Sequence, residues 1–539
     1  MSRISALVGR HCFAGSLFLS GLPSLAVAQR ADVPASGHPT LVVLIVVDQM
    51  RADYLDRFAA DFRHGLGRLT RGGAVFTAIH DQAITETAPG HASILSGRYP
   101  RSTGIVNNSL GVPDPRASML GGGGDGASPF RFRGTTLFDW LRVRDPRSRA
   151  LSLSRKDRGA ILPIGRAPEE VFWYALNGQF TTSTWYADTL PQWVRAFNER
   201  RIPIRLIGAT WDLLLPASRY PEPDSVSVEF DGRHVAFPHT LPRDTALALR
   251  ELRYVPFMDS ITVQLALAGV HAMRLGTGPQ TDLLSVSLST TDAIGHRYGP
   301  DSRELHDQLA RVDRYVGTLI DSLYRLRDSA SVVFALTSDH GISSYPELVD
   351  HPDSLPLRVS LNDLIADLGR ALPRSGDTSS VKAARGLVTF AAAAIAGAGL
   401  DVDSVVRSAA ARIRLIPGVL RADVIRELAS ADTTQDLLAR KWLRALPPGT
   451  PPAIGVTLHR NVYVGRRVAD SRATLEAQHG TPYHDDSAVP LVFYGPGFVS
   501  QKFTQQVEVV DLAPTLAARL RLAPLERVDG RVLREALKP

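Results

Sequence analysis

The sequence predicts an α/β fold: a doubly wound, mostly parallel central sheet flanked by helices, with inserted cap regions. Three observations carry that prediction. Apolar runs of strand length recur along the chain, amphipathic helical patterns lie between them, and several runs end in an acid or an acid–histidine cluster. Strands alternating with helices imply parallel crossovers, and a strand buried on both faces is apolar throughout rather than at every second residue.

Taken in order, the chain opens with Arg3 and Arg10 ahead of the apolar "FAGSLFLSGL", followed by the small-residue "AVA" ending at Ala28. These three parts make residues 1–28 a secretory signal peptide and predict a periplasmic or extracellular protein. "TLVVLIVVD" is the first buried strand and ends at Asp48. "VFTAIHDQAI" reads as a second strand and its exit, leading into "TETAPGHAS", Thr85 to Ser93. There a strand hands over to a helix, whose first N–H groups and dipole favour an anion. Thr87 reads either as an exposed nucleophile on a Pro-Gly turn or as an N-cap. Residues 110–134, with "GGGG", read as a loop.

Further strands follow at "ALSLS" (150–154), "DLLSVSLS" (282–289), "SVVFALTS" (331–338) and "VPLVFYG" (489–495). Residues 302–328 form a helix with Leu305, Leu309, Val312, Val316 and Leu319 on one face. Two insertions are expected, at about 165–275 and about 355–460, the second helical and Ala-rich. Within it "GLVTFAAAAIAGAGL" is too short and too rich in Ala and Gly for a membrane span, so a packed helix or helical hairpin is expected. No transmembrane helix is expected in the mature chain.

With 44% hydrophobic and 21% charged residues among 539, the composition is that of a soluble globular enzyme. The formal charge of +7 is scattered, without like-charge runs, so no nucleic-acid-binding patch is indicated. A mildly basic surface helps gather small anions. The single cysteine, Cys12, lies in the leader, so the mature chain has no disulfides.

The strand exits deliver Asp48, Asp292 with His296, Asp339 with His340, and His479 just ahead of the last strand. Sites in open α/β sheets form at the carboxyl ends of strands, so these side chains are expected in one crevice. Individually, Asp48 also reads as an N-cap and Asp292 with His296 as a surface pair. Jointly, a mixed Asp/His set favours zinc over the all-oxygen shells of calcium and magnesium. Six such ligands and a Thr oxygen suit two metals about 4 Å apart.

"VVDQMRADYL", "TETAPGHASILSGRYPRSTGIVNNS", "STTDAIGHRYGP", "LTSDHG" and "QHGTPYHDDSAVPLVFYG" together resemble the alkaline phosphatase superfamily over residues 40–515, in its Thr-nucleophile branch of PafA-type alkaline phosphatases and nucleotide pyrophosphatase/phosphodiesterases. The resemblance implies an alkaline phosphatase-like fold and two Zn²⁺ ions, one held by Asp48, Asp339, His340 and Thr87, the other by Asp292, His296 and His479. It makes Thr87 the nucleophile, activated by its metal and passing through a phosphothreonine. It makes Asn108 a phosphate ligand, with Asn107 second, and prefers His479 to His484. "LSLSRKDRGAILPIG" carries Lys156 and Arg158, the Lys-x-Arg pair of the monoesterases. Two cations suit the dianion of a monoester better than a diester. The implied activity is hydrolysis of small-molecule phosphate monoesters. The alternatives are a phosphodiesterase or nucleotide pyrophosphatase with the same metals, and a binding protein without turnover. With Thr at position 87 and no cysteine outside the leader, a sulfatase is disfavoured.

Overall fold

The computed structural model describes residues 38–539 except 122–123, 233, 351, 353, 373–378 and 465–474. The expected leader, 1–28, lies outside the described residues.

The apolar runs form the strands of a ten-stranded sheet. Its main strands are β1 (Leu41–Val47), β2 (Ala74–Ile79), β3 (Ala150–Ser154), β4 (Glu170–Tyr174), β5 (Asp282–Leu288), β6 (Val332–Thr337) and β7 (Ala488–Tyr494). They lie in the order β2-β7-β6-β1-β5-β3-β4, extended at one side by Gln501–Lys502 and Val507–Glu508 and at the other by Phe180–Thr181. The β6-β1-β5-β3-β4 block is parallel, while β7 runs antiparallel to both β2 and β6. The sheet is therefore mixed and mostly parallel. All seven β1 residues are fully buried, because its odd and even side chains enter two separate apolar layers. Full burial of each large aliphatic side chain contributes about 1.5–3 kcal/mol, which is why the strand is apolar throughout.

The helices that matter for the site are α1 (Thr87–Ser96), α2 (Asp157–Ile161), α3 (Phe257–Met273), α4 (Thr290–Tyr298) and α5 (Arg303–Leu326). α5 buries the face predicted from Leu305 to Leu319. No described helix is long and apolar enough to cross a membrane.

Both expected insertions differ in detail. The span 165–275 includes β4, a member of the central sheet, and α3, whose apolar residues join the layer beneath it. Its aromatic and Pro-rich sequence hid a buried strand, "EVFWY", among loops. The span 355–460 contains a four-stranded antiparallel sheet, in the order Val381–Ala384, Leu387–Phe390, Ala453–Leu458, Val419–Val424. The expected helical hairpin there is corrected: Leu387–Phe390 is a strand and only Ala392–Gly397 is helical. β-Branched Val388 and Thr389 and the ring of Phe390 suit a pleated, half-buried surface. This unit docks on the exit of β2, where buried Asp81 pairs with Arg440 at 2.8 Å and Lys441 at 3.1 Å.

Candidate active site

Asp48, Asp292 and Asp339 follow the carboxyl ends of β1, β5 and β6, Lys156 follows β3, and Thr87 follows the exit of β2. β7 is reversed, so its amino end lies at the same edge and brings His479. Five strands running one way and the reversed β7 thus bring the residues of six separate segments to one crevice.

Thr87 is not an N-cap. α1 begins at Thr87, and the cap position is Glu86, whose side chain makes no capping hydrogen bond. Pro89, whose missing N–H suits a first helical turn, lies in that turn, and Gly90 follows it inside the helix, so a helix start and not a separate Pro-Gly turn presents Thr87. A Cβ at Gly90 would collide with the carbonyl oxygen of Asp339, so glycine is what lets α1 approach the β6 exit. With no capping role, the buried Thr87 Oγ1 lies 3.4 Å from His340 Nε2 and 3.3 Å from Lys156 Nζ.

Two groups of ligand atoms converge, Asp292/His296/His479 and Asp48/Asp292/His340, the atoms of each lying within 4.8 Å of one another. Asp339 Oδ2 is 3.5 Å from His340 Nε2. Asp292 thus reaches both groups, whereas the sequence placed it in one. The physical reason is Lys156, whose ammonium is 2.6 Å from Asp48 Oδ2 and 2.6 Å from Asp292 Oδ2 and draws the two carboxylates together. The His340 and His479 rings stack at 3.6 Å between centroids, which holds the two groups side by side.

The donor set fits metal binding. Each histidine gives its Nδ1 proton to a backbone carbonyl, His296 to Ala477 at 2.6 Å, His340 to Gly341 at 2.9 Å and His479 to Thr85 at 2.7 Å. That fixes the tautomer and leaves every Nε2 lone pair facing the crevice. Both Asp48 oxygens and Asp339 Oδ2 are buried without a well-directed hydrogen bond. Burial, with Asp339 alongside, pushes the Asp48 carboxyl well above the usual carboxylate range. Burial acts the same way on Asp292, but Lys156 and His296 overcome it and hold that carboxyl well below. Burial, with His340 and His296 nearby, holds His479 well below its usual value and therefore neutral. Burial opposes charge on His296 too, but Asp292 beside it overcomes this and raises its pKa. Buried, under-satisfied carboxylates beside imidazole nitrogens make a cation-seeking site.

Asn108 lines the cleft and Asn107 does not. Asn108 Oδ1 accepts from Ala88 N–H at 2.9 Å, which leaves its amide nitrogen as a donor; Asn107 Oδ1 caps Leu110 N–H instead. His484 is exposed at the start of a short helix, away from both ligand groups. Arg158 lines the same cleft as Lys156 and Thr87.

Several residues escaped the sequence reading. Gln49, in a left-handed backbone at φ 69°, donates its side-chain amide to Asp292 at 2.9 Å and its N–H to Asp339 at 3.1 Å. His91 Nδ1 lies 3.1 Å from Asp339 Oδ2, and its Nε2 lies 2.9 Å from Ser287 Oγ. Glu86 accepts from Asn108 N–H at 2.8 Å and pairs with Arg385 at 3.0 Å. Arg385 comes from the inserted sheet, at a hairpin turn in a left-handed conformation. A signal existed for His91 alone, two residues beyond Pro89 in "TAPGH"; the others depend on long-range contacts. Because Glu86 ties the Asn108 segment to α1, Glu86→Gln is expected to lower kcat/KM on a phosphate monoester roughly 10- to 100-fold, the scale of weakened charge-assisted hydrogen bonds. Steady-state kinetics of the metal-loaded variant checks this, and an unchanged kcat/KM would leave Glu86 without a positioning role.

The model of the type I phosphodiesterase / nucleotide pyrophosphatase family matches residues 42–401. The chain is 28% identical to alkaline phosphatase PafA of Elizabethkingia meningoseptica, over 97% of this chain and 98% of that one. It is 29% identical to alkaline phosphatase PhoV of Synechococcus elongatus, over 93% of each. The crystal structure of wild-type PafA superposes with a TM-score of 0.83 at 27% identity, covering 94% of this chain and 100% of that one.

Proposed function

The chain belongs to the type I phosphodiesterase / nucleotide pyrophosphatase family, and we propose that it is an exported phosphomonoesterase of the alkaline phosphatase kind, using two Zn²⁺ ions and Thr87 as nucleophile. The observation that carries the monoester reading is the presence of Lys156 and Arg158 beside Thr87 in one cleft with Asn108. The alkaline phosphatases similar to it over nearly their whole length support the same reading. The basic, apolar and small-residue parts of residues 1–28 support export.

Asp48, Asp339, His340 and Thr87 would hold one metal, and Asp292, His296 and His479 the other. Such metals supply the positive charge that makes a hydroxyl an alkoxide near neutral pH and that balances the departing oxygen. Thr87 Oγ attacks phosphorus in line. Its bond to phosphorus forms as the ester P–O bond breaks, and the alcohol leaves with a proton. Water then cleaves the phosphothreonine, which returns Thr87 and releases inorganic phosphate. Asn108, Lys156 and Arg158 hold the non-bridging oxygens while charge spreads over them. With metals held by Asp48 and Asp292, the Lys156 ammonium would be released from these carboxylates to serve the ester.

The test compares kcat/KM on an aryl phosphate monoester and a bis-aryl diester, before and after dialysis against a chelator. The monoester should be the better substrate, chelation should abolish activity, and zinc should restore it better than magnesium. A faster diester would support the phosphodiesterase reading, which the family's name favours. Full activity of the metal-free protein would overturn the two-metal site.

A further inference from the structure

The cleft in front of Thr87 encloses about 500 Å³, a volume typical of sites that enclose a whole small molecule rather than one phosphoryl group. Five cations line it: Lys156 and Arg158, Arg385, which pairs with Glu86 at 3.0 Å, and beyond them Arg155 and Arg253, with Tyr174 and Tyr254 on the walls. The Nε atoms of Arg155, Arg158 and Arg253 are all sealed from water without a hydrogen-bond partner. Arg158 has Asp157 at 3.5 Å. Among the described residues no carboxylate pairs with Arg155 or Arg253; the Arg253 guanidinium lies 4.5 Å over the Tyr254 ring, which leaves its donor edge open.

Holding two guanidinium groups together in a cleft without counter-ions is costly. Glu476 also lines the cleft but is exposed to water, and the buried acids are already engaged. Buried Asp259 accepts from Thr290 N–H at 3.1 Å and from Gln308 at 2.8 Å, and Asp48 and Asp292 are held by Lys156. Burial lowers the Arg155 pKa; Asp292 and Asp48 oppose this, and Arg158 and Arg253, which line the same cleft, add to it. Guanidinium keeps its charge at any working pH, so an anion entering the cleft would balance the group.

We propose that Arg155 and Arg253 form a second anion subsite beside the phosphoryl site, and that the preferred substrates are phosphate monoesters whose alcohol carries a further anionic group, a carboxylate or a second phosphate. The inference rests on the monoesterase reading and names its substrate class. Lys156 and Arg158 stay with the transferred phosphoryl group, while Arg155 and Arg253 take the anion of the leaving alcohol by the bidentate geometry that guanidinium offers.

The test uses the zinc-loaded enzyme and one three-carbon scaffold: glycerol 1-phosphate, 3-phosphoglycerate and glycerol 1,3-bisphosphate. The wild type should prefer one or both of the last two by at least about 10-fold in kcat/KM, and which one is preferred separates carboxylate from phosphate. Arg155→Gln and Arg253→Gln should each lower kcat/KM on the preferred substrate by about 10-fold or more, chiefly through KM, with a much smaller loss on glycerol 1-phosphate. Arg155→Lys, which keeps the charge but not the fork, should fall between and guards against a folding defect. The absence of preference in the wild type, or equal losses on all three substrates, would overturn the subsite. Calorimetric affinities of the Thr87→Ala protein for the same three compounds read the subsite without turnover. An Arg253-dependent preference there supports it even if the monoesterase reading fails, and equal affinities overturn it.

Discussion

Thr87→Ala should lower kcat/KM on phosphate monoesters by on the order of 10³-fold or more, the scale seen when a covalent nucleophile is removed. Two facts motivate the size of the effect. The hydroxyl does not cap α1, since the cap position is Glu86, and it sits 3.4 Å from His340 and 3.3 Å from Lys156 rather than against backbone. Losing it therefore removes chemistry and little helix stability. Zinc content and Tm should stay near those of the wild type, because the other acids and imidazoles remain. Thr87→Ser keeps an oxygen at the same place and should retain part of the activity. Single-turnover experiments with rapid acid quench should detect phosphate on Thr87 in the wild type and none in Thr87→Ala. Near wild-type turnover by Thr87→Ala would sink the nucleophile assignment.

Lys156→Ala/Arg158→Ala should cost on the order of 10²- to 10⁴-fold on a monoester, if two charge-assisted contacts simply add, and much less on a diester with the same leaving group. The diester has one fewer charged oxygen for these cations to meet. The two side chains differ in a way that sharpens the experiment. Lys156 is almost fully buried and pairs with Asp48 and Asp292, so its loss also unbalances the carboxylates and should raise the zinc concentration needed or change it measurably. Among the described residues the one ion pair of Arg158 is with Asp157, at 3.5 Å, so Arg158→Ala should report on the ester alone. Kinetics at saturating zinc separate the two effects. Equal proportional losses on monoester and diester would mean that the pair serves general electrostatics, and the monoesterase assignment would lose its main support.

Strands β1, β3, β5, β6 and β7 and helix α5 were legible from local pattern, because a strand buried on both faces must be apolar and a surface helix must keep one apolar stripe. The acids and histidines at their ends were legible for the same reason, since topology sends those ends to one edge. β4 was not, because "EVFWY" looks the same in a loop-rich insertion as in a sheet until β3 lies beside it. The strand Leu387–Phe390 was lost within an Ala-rich stretch whose composition favours helix until Ala453–Leu458 pairs with it.

By itself the sequence determined the succession of β1, β3, β5, β6, β7 and α5, the supply of ligand-type side chains at strand exits, and the choice of threonine at the start of α1. These are properties of residue type and spacing along one chain. Only the tertiary structure decided what those side chains do. It freed the Thr87 hydroxyl from capping, made Lys156 the counter-ion shared by Asp48 and Asp292, placed Asp292 within reach of both ligand groups, and brought Arg385 to Glu86 from nearly 300 positions away. The physical reason is that a hydrogen bond or ion pair depends on distances of about 3 Å and on burial. Two residues hundreds of positions apart acquire both only when the sheet that carries them has closed.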